Sequence, residues 1–517
     1  MIERADIHLV PMLLAAVLLA IGIFVGDAFC GGVNFAVALT VVGVLFVAFC
    51  IFRNRQPLSG ILFIPLVISF GIFIYINSAS KVPSLYSDGH EGWEGVLMSR
   101  PQQHGKVYMA DAMVTSGRMC GHYVRVSIFA DNRSRFLDEG HGIRCVSVFE
   151  PIEDFGVKRN FSYSRWAMSH DIVGRTFLYT NAWDAADVRL THLSKWKRIV
   201  VKCRLLRGNV ARKLRMDISD DDAAALVSAL TLGDRSGITK ELREMYSVAG
   251  GSHVLALSGM HLGIIFFVLS YVFFRRRYKV FGGVLTLSFI WGYAVFTGMS
   301  PSIMRAAVML TVYSVVEIIG NYRNQLNTLG VAAVSILAFS PFSLWDVGFQ
   351  MSIISMLGII LFYKPLYSLI PAAWLFRCSI LRYLWSVVCV SLSAQICVAP
   401  IVAFYFGRFS CYFVLTGIVV SVLAVLIIVC TFAMLLAMAA GVGTDVVANV
   451  LSHLANWQNE ALAWISSLPH ASIENIRINI PQLILIYIVI IALIALAYRI
   501  SRVIRINRLW HSVTSYY

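Results

Sequence analysis

The chain has no His-Glu-x-x-His pair, no Gly-x-x-x-x-Gly-Lys-Ser/Thr loop and no Gly-x-Ser-x-Gly elbow. These absences remove the common signatures of a zinc peptidase, a phosphate-cradling nucleotide site and a hydrolase nucleophile turn. Charge is also scarce. Only 14% of the 517 residues are Asp, Glu, Lys or Arg, 58% are hydrophobic and the mean hydropathy is +0.74. That balance excludes an ordinary soluble domain, and the apolar runs are long enough to cross a bilayer core. The ten cysteines lie mostly inside apolar stretches and show no metal-ligand spacing, so neither a metal nor a cofactor is expected. The first apolar stretch, Val10 to Val25, lacks a basic leader and a small-residue cleavage site and reads as a retained span.

What is present is a polytopic α-helical pattern of about ten to twelve spans. Three apolar stretches at 8–26, 34–52 and 58–77 make up a first part, residues 1–80. Arg53 and Arg55 separate the second from the third, whereas Asp27 and no base follows the first. Basic loops mark the cytoplasmic side, so the amino terminus is expected inside and the third span delivers the chain outside. The net charge of +15 gathers in a few clusters, two of which lie at 275–277 and along a tail at 501–517, and the carboxyl terminus is expected inside as well.

Residues 81–192 have no spanning run. The stretches 107–115, 122–130 and 143–150 alternate partly, are rich in Val, Ile, Tyr and Phe, and are separated by Gly, Asn and Asp. They predict a small extracytoplasmic β-barrel of four to six strands. Cys120 and Cys145 both fall within it, in a compartment where a disulfide persists; a bridge and two buried free thiols are both open readings. Residues 81–193 hold 13 basic and 13 acidic side chains, so this part has no strong electrostatic footprint.

Residues 193–218 predict a basic amphipathic helix. Lys195, Lys197, Arg198, Lys202, Arg204, Arg207, Arg212, Lys213 and Arg215 occur with no acid before Asp217, and Trp196, Ile199, Val200, Cys203, Leu206, Val210 and Leu214 recur at near-helical spacing. Such a helix lies at a membrane surface. Anionic lipid headgroups and nucleic acid phosphates are the two partners it suits, and they are compatible.

From 219 to 500 the chain returns to the membrane. Ser219 with three aspartates after it, and Thr239, mark helix starts. Apolar spans follow at 254–274, 280–297, 303–320, 327–341, 346–363, 384–406, 411–440 and 482–499. The stretch 411–440 is long for one span and 445–468 is amphipathic, so one of the two is expected to break or re-enter. His253 and His261 are about 80° apart in azimuth and about 12 Å apart along a helix, too far for one metal without other ligands. Ser258 beside His261 opens the reading of an intramembrane serine hydrolase, against which stands simple helix packing by Gly250, Gly251, Ser258, Gly259 and Gly263. Arg305, Asp346, Gln350 and Gln395 are polar residues inside apolar runs; they either pair as structural glue, for instance Arg305 with Asp346, or line a hydrophilic path. Pro301 and Pro400 mark expected breaks in helix geometry.

The successive segments ALTLGDRSGITKELREMYSVAGGSHVLALSGMHLG, FTGMSPSIMRAAVM, SPFSLWDVGFQMS and AQICVAPIVAFYFGRFS resemble, in this order, the competence domain of the ComEC family, the membrane channels of bacterial DNA uptake. The preceding FSYSRWAMSHDIVGRTFLY is similar to the end of that family's amino-terminal module, which is associated with an OB-like barrel. The resemblance implies a bacterial inner-membrane channel that passes one strand of captured DNA inward. Its polar motif positions here are Gly233, Asp234, Ser252, His253, Ser258, Gly259, His261, Arg305, Asp346, Gln350 and Gln395. The implied partners are single-stranded DNA, membrane lipids, a separate nuclease, a DNA receptor and a cytoplasmic motor. Many members carry a metallo-β-lactamase-like nuclease domain whose metal site needs a His-x-His-x-Asp-His cluster. No His-x-His occurs in this sequence, so a channel and not an enzyme is expected. A transporter of another solute or lipid and an intramembrane hydrolase are the rival classes.

Overall fold

The computed structural model describes residues 10–514 except 30–34, 56, 84–88, 155–161, 189, 274–278 and 320–323. Three apolar helices come first: α1 (Pro11–Ala28), α2 (Phe35–Phe52) and α3 (Leu58–Ala79). Glycines let α1 and α3 pack backbone to backbone. A Cβ on Gly22 would sit 2.2 Å from the Ile68 carbonyl oxygen, and one on Gly71 would sit 2.7 Å from that of Leu19.

The polar part forms one sheet from β1 (Glu91–Leu97), β2 (Gln102–His104), β3 (Val107–Val114), β4 (Tyr123–Phe129), β5 (Gly142–Ser147), β6 (Ile172–Leu178) and β7 (Trp183–Ala185). The paired order is β6-β4-β3-β1-β5-β7, with β2 on β3 and only the β4–β6 pair parallel. Alternating residues bury Trp93, Val124, Val126, Ile128 and Ile143 in its core. The sheet curls without closing into the expected barrel. Strand β7 occupies the outer edge of β5, and among the described residues the chain beyond β5 pairs its backbone with that of β6 only at the isolated Glu150–Arg175 bridge, beside the hydrogen bond from Thr176 Oγ1 to the Val148 carbonyl. Helix α4 (Tyr163–Ser169) precedes β6.

Cys120 and Cys145 are free thiols, and the bridge left open above is not formed. Cys120 lies in the β3–β4 turn, where its Sγ donates to the Thr115 carbonyl at 3.1 Å. Cys145 is 1% exposed on β5, opposite Trp93, and burial pushes its thiol above the ordinary range.

The remainder is helical: α5 (Lys195–Asp217), α6 (Asp221–Leu232), α7 (Lys240–Ala249), α8 (Gly259–Phe273), α9 (Lys279–Phe296), α10 (Pro301–Ile319), α11 (Gln325–Phe339), α12 (Val347–Tyr367), α13 (Ala372–Leu375), α14 (Ser379–Phe406), α15 (Phe413–Ala439), α16 (Asp445–Ser467) and α17 (Ile480–Thr514). Strands β8 (Phe409–Ser410) and β9 (Ser472–Ile473) form a second, minimal sheet. Each of the eleven apolar spans read from sequence falls on a helix. Among the described residues seven helices are long and apolar enough to cross a membrane: α1, α2, α3, α10, α12, α14 and α15. Shorter apolar stretches of 10–17 residues lie on α8, α9, α11 and α17. This is a multi-pass membrane protein.

Several local expectations change. The cap of α6 is Asp220, whose carboxylate accepts from Ala223 N–H at 2.8 Å, in place of Ser219; Thr239 caps α7 as expected. Pro301 opens α10, where its missing N–H costs nothing, and buried Pro400 lies inside a helix that runs on to Phe406. Neither α15 nor α16 is broken. They form a hairpin that starts just after β8 and ends just before β9, so the antiparallel β8–β9 pair returns the chain to the place it left.

Candidate functional site

The polar motif positions cluster where several helices begin or end. Gly233 ends α6 in the left-handed conformation, at φ +71°, and a Cβ there would meet Leu257 at 3.4 Å. Asp234 accepts from Arg215 of α5 at 2.7 Å and from Ser236 N–H at 3.0 Å. The turn after α6 is thereby tied both to the basic helix and to the 250–258 loop.

That loop carries Ser252, His253 and Ser258. The loop is seated on the helical hairpin, since a Cβ on Gly251 would touch Leu462 and Thr416. Ser252 and His253 are exposed. Protein packed around the His253 ring nevertheless lowers its pKa below the ordinary imidazole value. Ser258 N–H donates to His261 Nδ1 at 3.1 Å, and Ser258 Oγ lies 3.4 Å from the same nitrogen. His261 itself is 0% exposed, and its Nε2 has no partner among the described residues. Gly259 lets α8 approach α10, because a Cβ there would meet that of Ala306 at 3.5 Å.

The residue before Ala306 is Arg305. Its guanidinium lies 2.5 Å from the Asp346 carboxylate, and the two residues are 7% and 6% exposed. Asp346 also caps α12, accepting from Gly348 N–H at 3.3 Å and Phe349 N–H at 3.0 Å. A Cβ at 348 would come within 2.6 Å of the Arg305 guanidinium and would displace it. One turn further along α12, Gln350 donates to the Leu344 carbonyl at 3.0 Å and accepts from Tyr405 OH at 3.1 Å. Gln395 is half-buried on α14, away from these hydrogen bonds. The polar track from Asp234 through Ser258 and His261 to Arg305, Asp346, Gln350 and Tyr405 is thus made of three hydrogen-bonded groups, separated by the apolar side chains of Leu257 and Ala306.

The basic helix departs from the expected phosphate-binding surface. Its arginines mostly face protein. Arg204 donates to the Gly298 carbonyl at 2.8 Å, Arg207 to Glu139 at 2.8 Å and to the Thr297 carbonyl at 3.1 Å, and Arg215 to Asp234. Arg198 is held by the Thr191 carbonyl and Lys197 by that of Gly121, while Arg212 pairs with Asn209 on its own helix. Lys195, Lys202 and Lys213 remain exposed, interleaved with exposed Trp196, Ile199, Leu206 and Met216. The helix is a strut between the sheet and the α9–α10 loop, with a narrower outer stripe that is both basic and apolar. Sequence periodicity could not distinguish the bases turned inward, Lys197 among them, from those turned outward, Arg212 among them.

A second polar cluster was not singled out from sequence. Tyr246 OH donates to Asn459 at 2.8 Å and accepts from Gln458 at 3.2 Å, joining α7 to α16. Arg408, which lies within the quoted FYFGRFS segment, bridges Glu244 at 2.7 Å and Glu474 at 2.9 Å. No group of three or more His, Cys, Asp or Glu among the described residues could hold a metal ion.

A family model described as competence protein matches residues 230–500, more than half of the chain and all of this polar track. The chain belongs to the competence protein family. ComE operon protein 3 of Bacillus subtilis (strain 168) is 24% identical over 372 residues, covering 71% of this chain and 45% of that relative. An uncharacterized protein of Aquifex aeolicus (strain VF5) is 24% identical over 234 residues, 45% of this chain and 48% of its own length. The uncharacterized protein YcaI of Escherichia coli (strain K12) is 22% identical over 235 residues, 43% and 29% respectively. The chain spans less than half the length of these curated relatives. No solved structure matches it significantly.

Proposed function

We propose that this competence-family protein is an inner-membrane conduit that admits single-stranded DNA during natural transformation, acting by transport and without a covalent step. The observation that carries the reading is the Arg305–Asp346 pair with its flanking polar track inside an otherwise apolar bundle. Ionisable groups at membrane depth are costly and mark substrate paths by default. A polyanion needs a wet, hydrogen-bonding and sparsely basic wall, which His253, His261, Arg305, Gln350 and Tyr405 would supply once the track opens.

Transport is favoured over hydrolysis by the geometry at Ser258. His261 Nδ1 already accepts the Ser258 backbone N–H, its contact to Oγ is 3.4 Å, and no acid orients Nε2 among the described residues. A nucleophile activated by a base needs the opposite arrangement. The basic loops and the even-numbered α15–α16 hairpin support both termini on the cytoplasmic side and the sheet outside. The strand order, with β1 between β3 and β5 and β4 parallel to β6, supports an OB-like unit. A separate nuclease, a DNA receptor and a cytoplasmic motor are proposed partners. Lys195, Lys202 and Lys213 are the proposed contacts to DNA or lipid phosphate.

The test is transformation of the native host with marked chromosomal DNA, comparing wild type, a gene deletion and Asp346→Ala or Arg305→Ala alleles with verified membrane levels. Loss of transformants with DNA still bound outside supports the conduit. Unchanged transformation in a competent host makes a small-solute or lipid transporter the leading account.

A further inference from the structure

Helix α4 of the sheet region leans on the membrane bundle at the Pro341–Trp345 turn, next in sequence to Asp346. Asp154 fixes its start through Ser162 and Ser164, and Ser162 accepts from Arg165 N–H. The Arg165 guanidinium then leaves the sheet unit. It lies 2.7 Å from the carboxylate of Asp27 at the end of α1, and its Cζ is 5.2 Å from the centre of the Trp345 ring. The other Asp27 oxygen accepts from Tyr75 OH of α3 at 2.6 Å, and Tyr75 meets Trp345 edge-on at 5.8 Å. Arg165, Asp27, Tyr75 and Trp345 thus form a closed ring of contacts.

Trp345 ends the five-residue 3-10 turn Pro341–Trp345, and the residue after it is Asp346. We propose that Arg165 is a positioning residue for the Arg305–Asp346 pair: by clamping Trp345 from outside, α4 sets the place of the turn that holds the Asp346 carboxylate. Adjacent Cα atoms are held about 3.8 Å apart, so a shift of Trp345 is passed directly to Asp346. Both Asp346 oxygens are engaged, Oδ2 by Arg305 at 2.5 Å and Phe349 N–H at 3.0 Å and Oδ1 by Gly348 N–H at 3.3 Å, so a displacement weakens them together. The outer unit can therefore hold the pair closed while α4 is seated and loosen it when α4 is drawn away. Its bearing on uptake rests on the conduit reading above; its structural content does not.

Hydrogen–deuterium exchange of the whole chain in micelles tests this, using Arg165→Asp, Asp27→Arg and the conservative Arg165→Lys, which keeps a cation beside both Asp27 and Trp345. Each of the first two variants should speed exchange of residues 341–350 by about fivefold, the scale of one lost partly buried interaction. Arg165→Lys should stay near wild type in exchange and in transformation. Faster exchange confined to α4 with 341–350 unchanged overturns the proposal, as does an Arg165→Lys variant that exchanges over 341–350 as fast as Arg165→Asp. A host whose transformation is insensitive to gene deletion removes the conduit reading but leaves the exchange result standing, so the two failures are distinguishable.

Discussion

The Arg305 guanidinium on α10 and the Asp346 carboxylate at the start of α12 lie 2.5 Å apart, both almost wholly buried, and the carboxylate also caps α12. Removing one partner strands the other charge inside the bundle. Arg305→Ala or Asp346→Ala alone should cost about 3–5 kcal/mol. The Arg305→Ala/Asp346→Ala double variant, which strands neither charge, should lose clearly less than the sum of the two single losses. Unfolding in micelles, read as a double-mutant cycle, measures this; strict additivity would show that the two residues do not act as a pair.

Packing of α1 on α3 depends on Gly22 having no side chain. Gly22→Leu should abolish stable membrane accumulation, because its Cβ alone would overlap the Ile68 carbonyl. Gly43→Leu on α2, where nothing lies within 4 Å of a new Cβ, should accumulate like wild type. Immunoblots of membrane fractions compare the two directly.

The contact between the sheet and α5 should weaken in acid. His122 is held below its ordinary value of 6.5 by burial and by Lys197, partly offset by Asp171. A depressed histidine favours the neutral form in the fold, so its contribution is present above 6.5 and is lost as pH falls through the lower folded value. The difference in unfolding midpoint between wild type and His122→Gln should therefore shrink or change sign on going from pH 7.5 to acid. A pH-independent difference would contradict this assignment.

The division of labour on α5 predicts opposite phenotypes for its two kinds of base. Arg207→Ala leaves Glu139 buried without its cation and should cost about 3 kcal/mol. Replacing Lys195, Lys202 and Lys213 together by Gln should change stability by no more than about 0.5 kcal/mol per site. It should instead weaken binding of a labelled oligonucleotide and flatten its salt dependence. Parallel unfolding and anisotropy titrations separate these effects.

Hydrophobic run length made the helical membrane class and all eleven apolar helices legible in the sequence, because a bilayer demands a near-continuous apolar stretch. Alternation located β3, β4 and β5, but sheet closure depends on edge pairing, and the three residues of β7 carry too little pattern to reveal which edge they take. Arg305, Asp346, Gln350 and Gln395 were visible as isolated breaks in apolar runs, and Ser252, His253, Ser258 and His261 as a polar segment entering one, whereas Gly233 and Asp234 were marked by the family resemblance. The Arg305–Asp346 pair stood among the open readings, but most long-range partners did not: nothing at Arg165 announces Trp345, and nothing in α5 says that Arg207 turns to Glu139, because contacts between residues far apart in sequence leave no local periodicity. Tyr246, Gln458 and Asn459 escaped notice for the same reason, each being unremarkable in an amphipathic helix until the hairpin folds against α7.

The central claim is that DNA crosses the membrane through the polar track, and the most direct measurement is the amount of labelled donor DNA that becomes DNase-resistant inside the cytoplasm. The strains to compare are a deletion complemented with wild type, with Arg305→Ala, or with Asp346→Ala, all at matched membrane levels. The account predicts that both variants bind external DNA like wild type but admit far less of it. Internalisation at the wild-type level with the ion pair removed would contradict it.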